Sequence, residues 1–154
     1  MSQSQPLPTI EITDNPSSAR QKALLQSLRH FNANTMGYND AWPLFLSITD
    51  GKDRLQAGLS GRTIYGHLLI EALWVDESLR GQGLGSLLMA EAERIAIERG
   101  CYGAQVDTVS FQGQDFYPRF GFVCVGTVEN FPPGHTRLFF HKDYRNSSEV
   151  PKDN

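Results

Sequence analysis

Residues 73–85, Leu-Trp-Val-Asp-Glu-Ser-Leu-Arg-Gly-Gln-Gly-Leu-Gly, lead from an apolar strand into a helix and carry the strongest signal in this chain. The glycines at 81, 83 and 85 let the backbone approach a ligand closely and take dihedral angles that other residues resist. The first turn of a helix presents unpaired N–H groups and a partial positive charge. The segment therefore predicts an anion site suited to a pyrophosphate, with Arg80 adding charge at its rim. A tight turn without a ligand is the alternative.

Two other kinds of phosphate-binding loop fit this segment less well. A dinucleotide-binding loop needs G-x-G-x-x-G, and Ser86 stands at the place of the third glycine. That loop also belongs after an early strand, whereas this one lies mid-chain after strands that look antiparallel. A P-loop does not fit, because no Gly-Lys-Ser/Thr follows the glycines.

The elements on either side alternate strands with helices, which predicts a mixed sheet flanked by helices. Upstream, we predict strands over 9–13, 43–49 and 55–60. Between the first two strands we predict a helix, which is capped by Asp14 or Asn15, has Pro16 in its first position and ends before Gly37. Downstream, we predict a central strand over 67–75 with both faces covered, helices over 84–99 and 112–120, and strands over 103–109, 122–128 and 136–141. The predicted buried stripe of the helix over 84–99 is Leu84, Leu87, Leu88, Ala92, Ile95 and Ala96.

Two motifs resemble those of one enzyme family. Arg80-x-x-Gly83-x-Gly85, after a strand that ends Leu73-x-Val75, resembles the coenzyme A signature of the GNAT acetyltransferases. The segment 116–122, Phe-Tyr-Pro-Arg-Phe-Gly-Phe, is similar to the family's late tyrosine followed by a strand that begins Gly-Phe. The resemblance covers roughly residues 8–144. It implies an α/β (α+β) GNAT-type acyl-CoA N-acyltransferase fold, with a central mixed, mostly antiparallel twisted sheet, flanking helices and a splayed parallel strand pair.

The resemblance implies acetyl-coenzyme A as co-substrate. The pyrophosphate would lie on main-chain amides of 82–86, and the pantetheine arm would pair with the backbone of 73–75 like an added strand. One N–H near Val75 would face the thioester oxygen. Ser110 stands where the family often has an asparagine that contacts the cofactor. The implied cofactor-binding residues are Leu73, Trp74, Val75, Arg80, Gly81, Gln82, Gly83, Leu84, Gly85, Ser86 and Ser110.

Two residues are the candidates for catalysis. Tyr117 is implied as the general acid that protonates or hydrogen-bonds the leaving thiolate, and a core tyrosine among phenylalanines is the alternative. Glu71 is the candidate base for the acceptor amine, because an unpaired carboxylate on an apolar strand is costly to bury. A strand-edge glutamate paired with a neighbour is its alternative. His67 and Asp107 are weaker candidates for the base.

The acceptor pocket is less well defined by the sequence. His135, before the last strand, is a candidate to line it, and a solvated loop histidine is the alternative. Family acceptor sites draw on the early helices and strands, and the residues there are Tyr38, Asn39, Trp42 and Phe45. The acceptor is expected to be a small-molecule or peptide amine.

Composition excludes several classes of function. The chain has 154 residues, 40 % hydrophobic and 20 % charged, which fits one domain, predicted over 8–145 between disordered ends at 1–7 and 146–154. The net charge of −3 without a basic block disfavours nucleic acid. No membrane span or signal peptide is apparent, so no membrane partner and a cytoplasmic location are expected. No Cys/His cluster has metal-ligand spacing, so no metal is expected.

The sequence thus predicts an N-acetyltransferase that moves the acetyl group of acetyl-coenzyme A directly to a primary amine. Direct transfer is expected because neither Cys101 nor Cys124 lies in a nucleophile arrangement with a histidine. A non-catalytic coenzyme A-binding sensor or interaction domain is the main alternative, and a nucleotide-binding regulator is a further one. A homodimer remains open, since members of the family often dimerise.

Overall fold

A computed structural model describes residues 5–15 and 18–145. The chain forms two compact units, residues 1–39 and 40–154. The N-terminal unit contains helix α1 (Ala19–Met36). The Ser18 side chain accepts a hydrogen bond from the N–H of Gln21 at 3.2 Å and caps the start of α1. Gly37, with a φ of 78°, ends the helix as predicted, in the left-handed conformation that glycine adopts readily.

Two predictions for the N-terminal unit are wrong. Residues 9–13 form no strand, and Ile10 and Ile12 are 87 % and 95 % exposed. An alternating pattern forms a strand only where a neighbouring strand takes its hydrogen bonds. The cap of α1 is Ser18 rather than Asp14 or Asn15, because only the Ser18 hydroxyl is placed to receive the N–H of the third helical residue. Pro16 and the tail beyond 145 lie outside the described residues.

The C-terminal unit contains a six-stranded sheet and one long helix. Along the chain its elements are β1 (Trp42–Thr49), β2 (Leu55–Ile64), β3 (His67–Val75), α2 (Leu84–Glu98), β4 (Gly103–Val109), β5 (Val123–Glu129) and β6 (Thr136–Asp143). The strand order is β1-β2-β3-β4-β6-β5, and β3 with β4 is the parallel pair among the described strands. The predicted mixed, mostly antiparallel sheet is confirmed.

Several element boundaries differ from the prediction. β2 extends to Ile64 instead of ending at residue 60, because its antiparallel pairing with β3 continues up to the turn between the two strands. The predicted helix over 112–120 reduces to a 3₁₀ turn, Tyr117–Phe120. Gly113 adopts a φ of 109°, outside the helical region, and Pro118 has no N–H to donate, so a regular helix cannot span this segment.

The core lies between α2 and one face of the sheet. Of the predicted stripe, Leu88, Ala92 and Ala96 are buried, but Leu87 is 61 % exposed. Met89 is fully buried instead. The buried side of the helix is therefore turned toward Met89, because α2 packs over β2 and β3, and the contact with the sheet rather than the apolar pattern sets its rotation.

β3 and β4 separate part-way along their length and form a fork. Their parallel pairing runs from His67 with Gly103 to Ile70 with Val106 and stops there, although β3 continues to Val75. The predicted splayed parallel pair is confirmed. The prediction that both faces of β3 are covered is wrong for its second half, because Glu71, Ala72 and Trp74 are exposed where β4 has separated from the strand.

A β-bulge lies at the start of the fork. On β2, Ser60 pairs with Ala72 and Gly61 pairs with Ile70, so Glu71 is the additional residue on β3. The bulge shifts the side-chain alternation by one position. Leu73 and Val75 therefore pack against the same core as Leu68 and Ile70.

Gly61 is required for this close approach of β2 and β3. A Cβ atom on Gly61 would lie 2.2 Å from the carbonyl oxygen of Leu69. We expect Gly61→Ala to lower the free energy of unfolding by about 1–3 kcal/mol, measured by urea denaturation, because the strands must move apart. Gly126→Ala in β5 is the matched control, since its added methyl group meets nothing within 4 Å. Equal stability of the two variants would contradict the steric role of Gly61.

Candidate active site

A cleft of about 1150 Å³ opens where β3 and β4 separate. Its walls are the second half of β3, the glycine loop with the first turn of α2, β4, and the segment around Tyr117. All of these elements belong to the C-terminal unit. The structure thus brings the two sequence motifs together at one cavity. Of the predicted cofactor-binding residues, all line the cleft except Gln82 and Ser110.

The first turn of α2 forms one end of the cleft. Gly83 is the N-cap, with a φ of 80° and no side-chain cap, and the first N–H bonded within the helix is that of Leu87, to the Gly83 carbonyl at 2.9 Å. The N–H groups of Leu84, Gly85 and Ser86 precede it and have no acceptor within the helix. A Cβ atom on Gly83 would meet nothing within 4 Å, so the space beside the loop is open. This arrangement fits a diphosphate.

Two arginines line the cleft. Arg80 was predicted, and its Nε donates to the carbonyl oxygen of Val75 at 3.2 Å, which fastens the loop to the end of β3. That carbonyl therefore already has a donor. Arg119 also lines the cleft and was missed. Its position two residues after Tyr117, within the second motif, was the available signal.

The residues that were expected to pair with a pantetheine arm lie along the fork. Leu73, Trp74 and Val75 line the cleft, and they follow Ile70, the last residue of β3 that pairs with β4. Main-chain groups on the β4 side of this segment thus have no strand partner in the described part of the chain. An extended ligand can occupy that edge.

Tyr117 is both a core residue and a cleft residue. Its side chain is 7 % exposed and packs against Phe116, Phe122 and Phe140, with ring centroids 5.2, 5.7 and 5.7 Å away. Burial, and secondarily the negative charge of Asp107, raise the pKa of Tyr117 to about 12. The phenol is therefore protonated at neutral pH. None of the described residues hydrogen-bonds to its hydroxyl, which leaves it available to a ligand in the cleft.

Glu71 lines the cleft and is also paired with an arginine of the neighbouring strand. It lines the cleft at the bulge, and its Oε1 accepts a hydrogen bond from Arg62 Nη1 at 2.5 Å. Both side chains are about half exposed, at 49 % each. The glutamate is thus paired with a residue of the neighbouring strand and also lines the cleft, and its predicted role as the base stays a prediction.

Ser110 and His135 are joined by hydrogen bonds at the end of β4. The Ser110 hydroxyl accepts from the N–H of Thr136 at 3.1 Å and lies 3.4 Å from His135 Nδ1. Neither residue lines the cleft. Their predicted contacts with cofactor and acceptor therefore stay predictions, and their observed role is to connect β4 to β6.

Three further candidates of the C-terminal unit do not line the cleft. His67 lies at the opposite end of β3, where its ring packs against Tyr102 with centroids 4.9 Å apart. The ring of Trp42 stacks on Arg99 at 4.3 Å. Phe45 is exposed on β1, and neither it nor Trp42 lines the cleft. The predicted role of His67 as a base stays a prediction. So do the predicted acceptor roles of Trp42, Phe45, and Tyr38 and Asn39 in the N-terminal unit.

Residues 5–15 and 18–145 contain no group of three or more His, Cys, Asp or Glu side chains placed to hold a metal ion. Neither described helix has the length and apolar character needed to cross a bilayer.

The cleft thus combines two separating strands, an uncapped glycine loop and a buried tyrosine, and known proteins share features of this chain. A sequence model described as the acetyltransferase (GNAT) family matches residues 11–122. This chain belongs to the GNAT family of acetyltransferases. The family and the fold predicted from the two motifs are thereby confirmed, and the chain is an acyltransferase.

Individual relatives agree with the family assignment. An acetyltransferase of Agrobacterium fabrum is 31 % identical over 133 residues, which cover 86 % of this GNAT chain and 97 % of the relative. A blasticidin-S acetyltransferase of Streptomyces morookaense is 43 % identical over 93 residues, 60 % of this chain and 68 % of the relative. The crystal structure of an acetyltransferase from Bacillus cereus has a TM-score of 0.74 and 31 % identity, over 88 % of this chain and 97 % of that chain.

Proposed function

We propose that this GNAT protein transfers the acetyl group of acetyl-coenzyme A directly to a primary amine. One observation carries the proposal: a single cleft has uncapped helix N–H groups at one end and both Tyr117 and Glu71 in its walls. An anion site and an acid–base pair in one cavity are what acyl transfer from a phosphorylated thioester requires. A sensor would need the anion site alone.

The glycine loop would hold the diphosphate. The N–H groups of 84–86 would donate to it, and Arg80 and Arg119 would supply positive charge beside it. The main chain of 73–75 would pair with the pantetheine arm. The amide of Gln82 and the hydroxyl of Ser110 complete the proposed set.

The bound coenzyme would supply a thioester whose carbonyl carbon accepts the amine and whose sulfur leaves. Glu71 would take a proton from the acceptor's ammonium group, directly or through water, and so provide the neutral amine that attack requires. Tyr117 would donate its hydroxyl proton to the departing sulfur, and the proton that the attacking nitrogen loses as it becomes the amide would restore the phenol. A main-chain N–H near Val75 would donate to the oxygen where negative charge develops.

The acceptor is proposed to be a small molecule. Blasticidin S is the first compound to test, because the Streptomyces relative is named for it. A peptide amine is the second class. A single domain over 8–145, a cytoplasmic location and a homodimer are predictions that accompany this proposal.

The test is release of free thiol from acetyl-coenzyme A in the presence of blasticidin S and a panel of primary amines. We expect thiol release to match the appearance of an N-acetylated product by mass spectrometry. Tight coenzyme A binding without turnover on any amine would support the sensor instead. Protection against thermal unfolding by NAD or ATP, and not by acetyl-coenzyme A, would support the nucleotide-binding regulator.

The base is tested by Glu71→Gln. We expect kcat near neutral pH to fall about 100-fold, because the acceptor then keeps its proton. The loss should shrink as the pH rises, since more of the amine is already neutral in solution. The matched control is Glu91→Gln, which also removes a carboxylate paired with an arginine, Arg94, but lies on α2 outside the cleft. An unchanged kcat at every pH would exclude Glu71 as the base.

A further inference from the structure

Four charged side chains lie on four neighbouring strands at the fork. In sheet order they are Arg62 on β2, Glu71 on β3, Asp107 on β4 and Arg137 on β6. Arg137 Nε and Nη2 contact Asp107 Oδ2 at 2.9 and 2.8 Å, as Arg62 contacts Glu71 on the other side. The charges across the sheet therefore run plus, minus, minus, plus.

The two carboxylates occupy equivalent places on the two separating strands. Ile70 and Val106 form the last pair of the parallel ladder, and both are buried. Glu71 and Asp107 are the next residue on each strand, and both are exposed and line the cleft. Two negative charges thus stand on opposite sides of the opening, where the strands part.

Tyr117 adds a hydroxyl group without a protein partner to this part of the cleft. Its side chain is 7 % exposed, and none of the described residues hydrogen-bonds to its hydroxyl. Asp107 is near enough for its charge to act on this phenol. The ring is buried but the hydroxyl reaches the cleft, so water or a ligand in the cleft is what it can hydrogen-bond.

Arg62 and Arg137 offset the repulsion between the two carboxylates from the outer side of each, and so leave the space between the carboxylates open. Two like charges side by side repel, and a cation on the outer side of each offsets that repulsion. Each salt bridge engages one oxygen of its carboxylate, Oε1 of Glu71 and Oδ2 of Asp107. The second oxygen of each accepts no hydrogen bond from the described residues, and an ammonium group has three donors to offer.

We propose that Asp107 is a second acceptor-binding carboxylate, which receives the acceptor as an ammonium ion between itself and Glu71. Arg62 and Arg137 are positioning residues that hold the two carboxylates in place. This inference rests on the proposed function and narrows its substrate class. The acceptor is an amine that is protonated in solution, and an alcohol of the same shape, which has no charge to balance the two carboxylates, is rejected.

The test is Asp107→Asn, assayed with blasticidin S and with n-butylamine. We expect KM for the amine to rise about 10- to 100-fold, because a charge-assisted hydrogen bond is lost. We expect kcat to change far less and the affinity for coenzyme A to stay as in the wild type. Arg137→Met should raise KM in the same direction but less. Glu91→Gln is the control, and 1-butanol in place of n-butylamine should give no product.

Each result decides the inference. An unchanged KM with a lower melting temperature would make Asp107 a structural residue only, and a fall in kcat alone would make it part of the chemistry instead. Failure of the proposed function is a different result, in which the wild type acetylates no amine. Calorimetry of n-butylamine and blasticidin S with the coenzyme A-loaded protein then decides. Binding that weakens in Asp107→Asn supports the inference, and equal or absent binding overturns it.

Discussion

Replacing Tyr117 by phenylalanine will lower kcat by about 100- to 10,000-fold, because the departing sulfur then lacks its proton donor. The fold should be little affected. The phenylalanine ring keeps the packing against Phe116, Phe122 and Phe140, and the hydroxyl that is removed has no partner among the described residues. Steady-state thiol release and thermal unfolding of the same preparations measure the two effects separately.

The pH dependence follows from the raised pKa of Tyr117, about 12. A raised pKa means that the phenol keeps its proton up to that pH, so the donor form persists through the neutral and mildly alkaline range. Ionisation of Tyr117 should therefore cause no alkaline loss of activity in the wild type below this value.

Tyr144→Phe is the matched control for this variant. Like that of Tyr117, its hydroxyl has no hydrogen-bond partner among the described residues, but the Tyr144 hydroxyl is buried and Tyr144 does not line the cleft. We expect full activity and equal or greater stability, because a buried hydroxyl without a partner is a cost to the folded state. If Tyr117→Phe also kept its kcat, Tyr117 would be a core residue and nothing more.

Ser86→Glu will weaken coenzyme A binding about 100-fold without destabilising the protein. Ser86 is the third residue of α2, where a negative charge stabilises the helix by about 0.3–1 kcal/mol. The same charge would stand in the proposed diphosphate site. Two unit charges about 5 Å apart at an effective dielectric constant of about 20 repel by about 3 kcal/mol, which is roughly a 100-fold change in affinity. Affinity and stability should thus move in opposite directions.

Leu87→Glu is the control for this charge. Leu87 is the next residue of the same turn, is exposed and does not line the cleft, so the variant adds an equal charge beside the site rather than within it. Titration calorimetry gives the affinity and thermal unfolding gives the stability. Wild-type affinity in Ser86→Glu would place the diphosphate elsewhere. An equal loss in both variants would indicate only a long-range effect of net charge.

The local features of this protein could be predicted from its sequence. β3 runs over the predicted residues, and α2 starts at the predicted Leu84 after the glycines. The left-handed backbone of Gly81 and Gly83 is a requirement that few residues other than glycine meet, so their presence there was informative. The two motifs sufficed for the family because each depends on residues close together in the chain.

Features that depend on contacts with residues far away in the sequence could not be predicted from it. The strand expected over 9–13 is missing, and Leu87 and Met89 exchange their expected exposure, since both outcomes depend on which surface packs nearby. Arg119 was overlooked, because its place in the cleft follows from how the 3₁₀ turn approaches the glycine loop.

The sequence alone thus predicts the glycine loop, the helix that follows it and the tyrosine within a second motif. The tertiary structure determines the cleft in which we propose that the acceptor meets them. The ladder between β3 and β4 ends after Ile70 and Val106. Glu71 is the additional residue of the bulge, and its side chain pairs with Arg62. Pairing register is a property of two strands together, so no pattern within either strand specifies it.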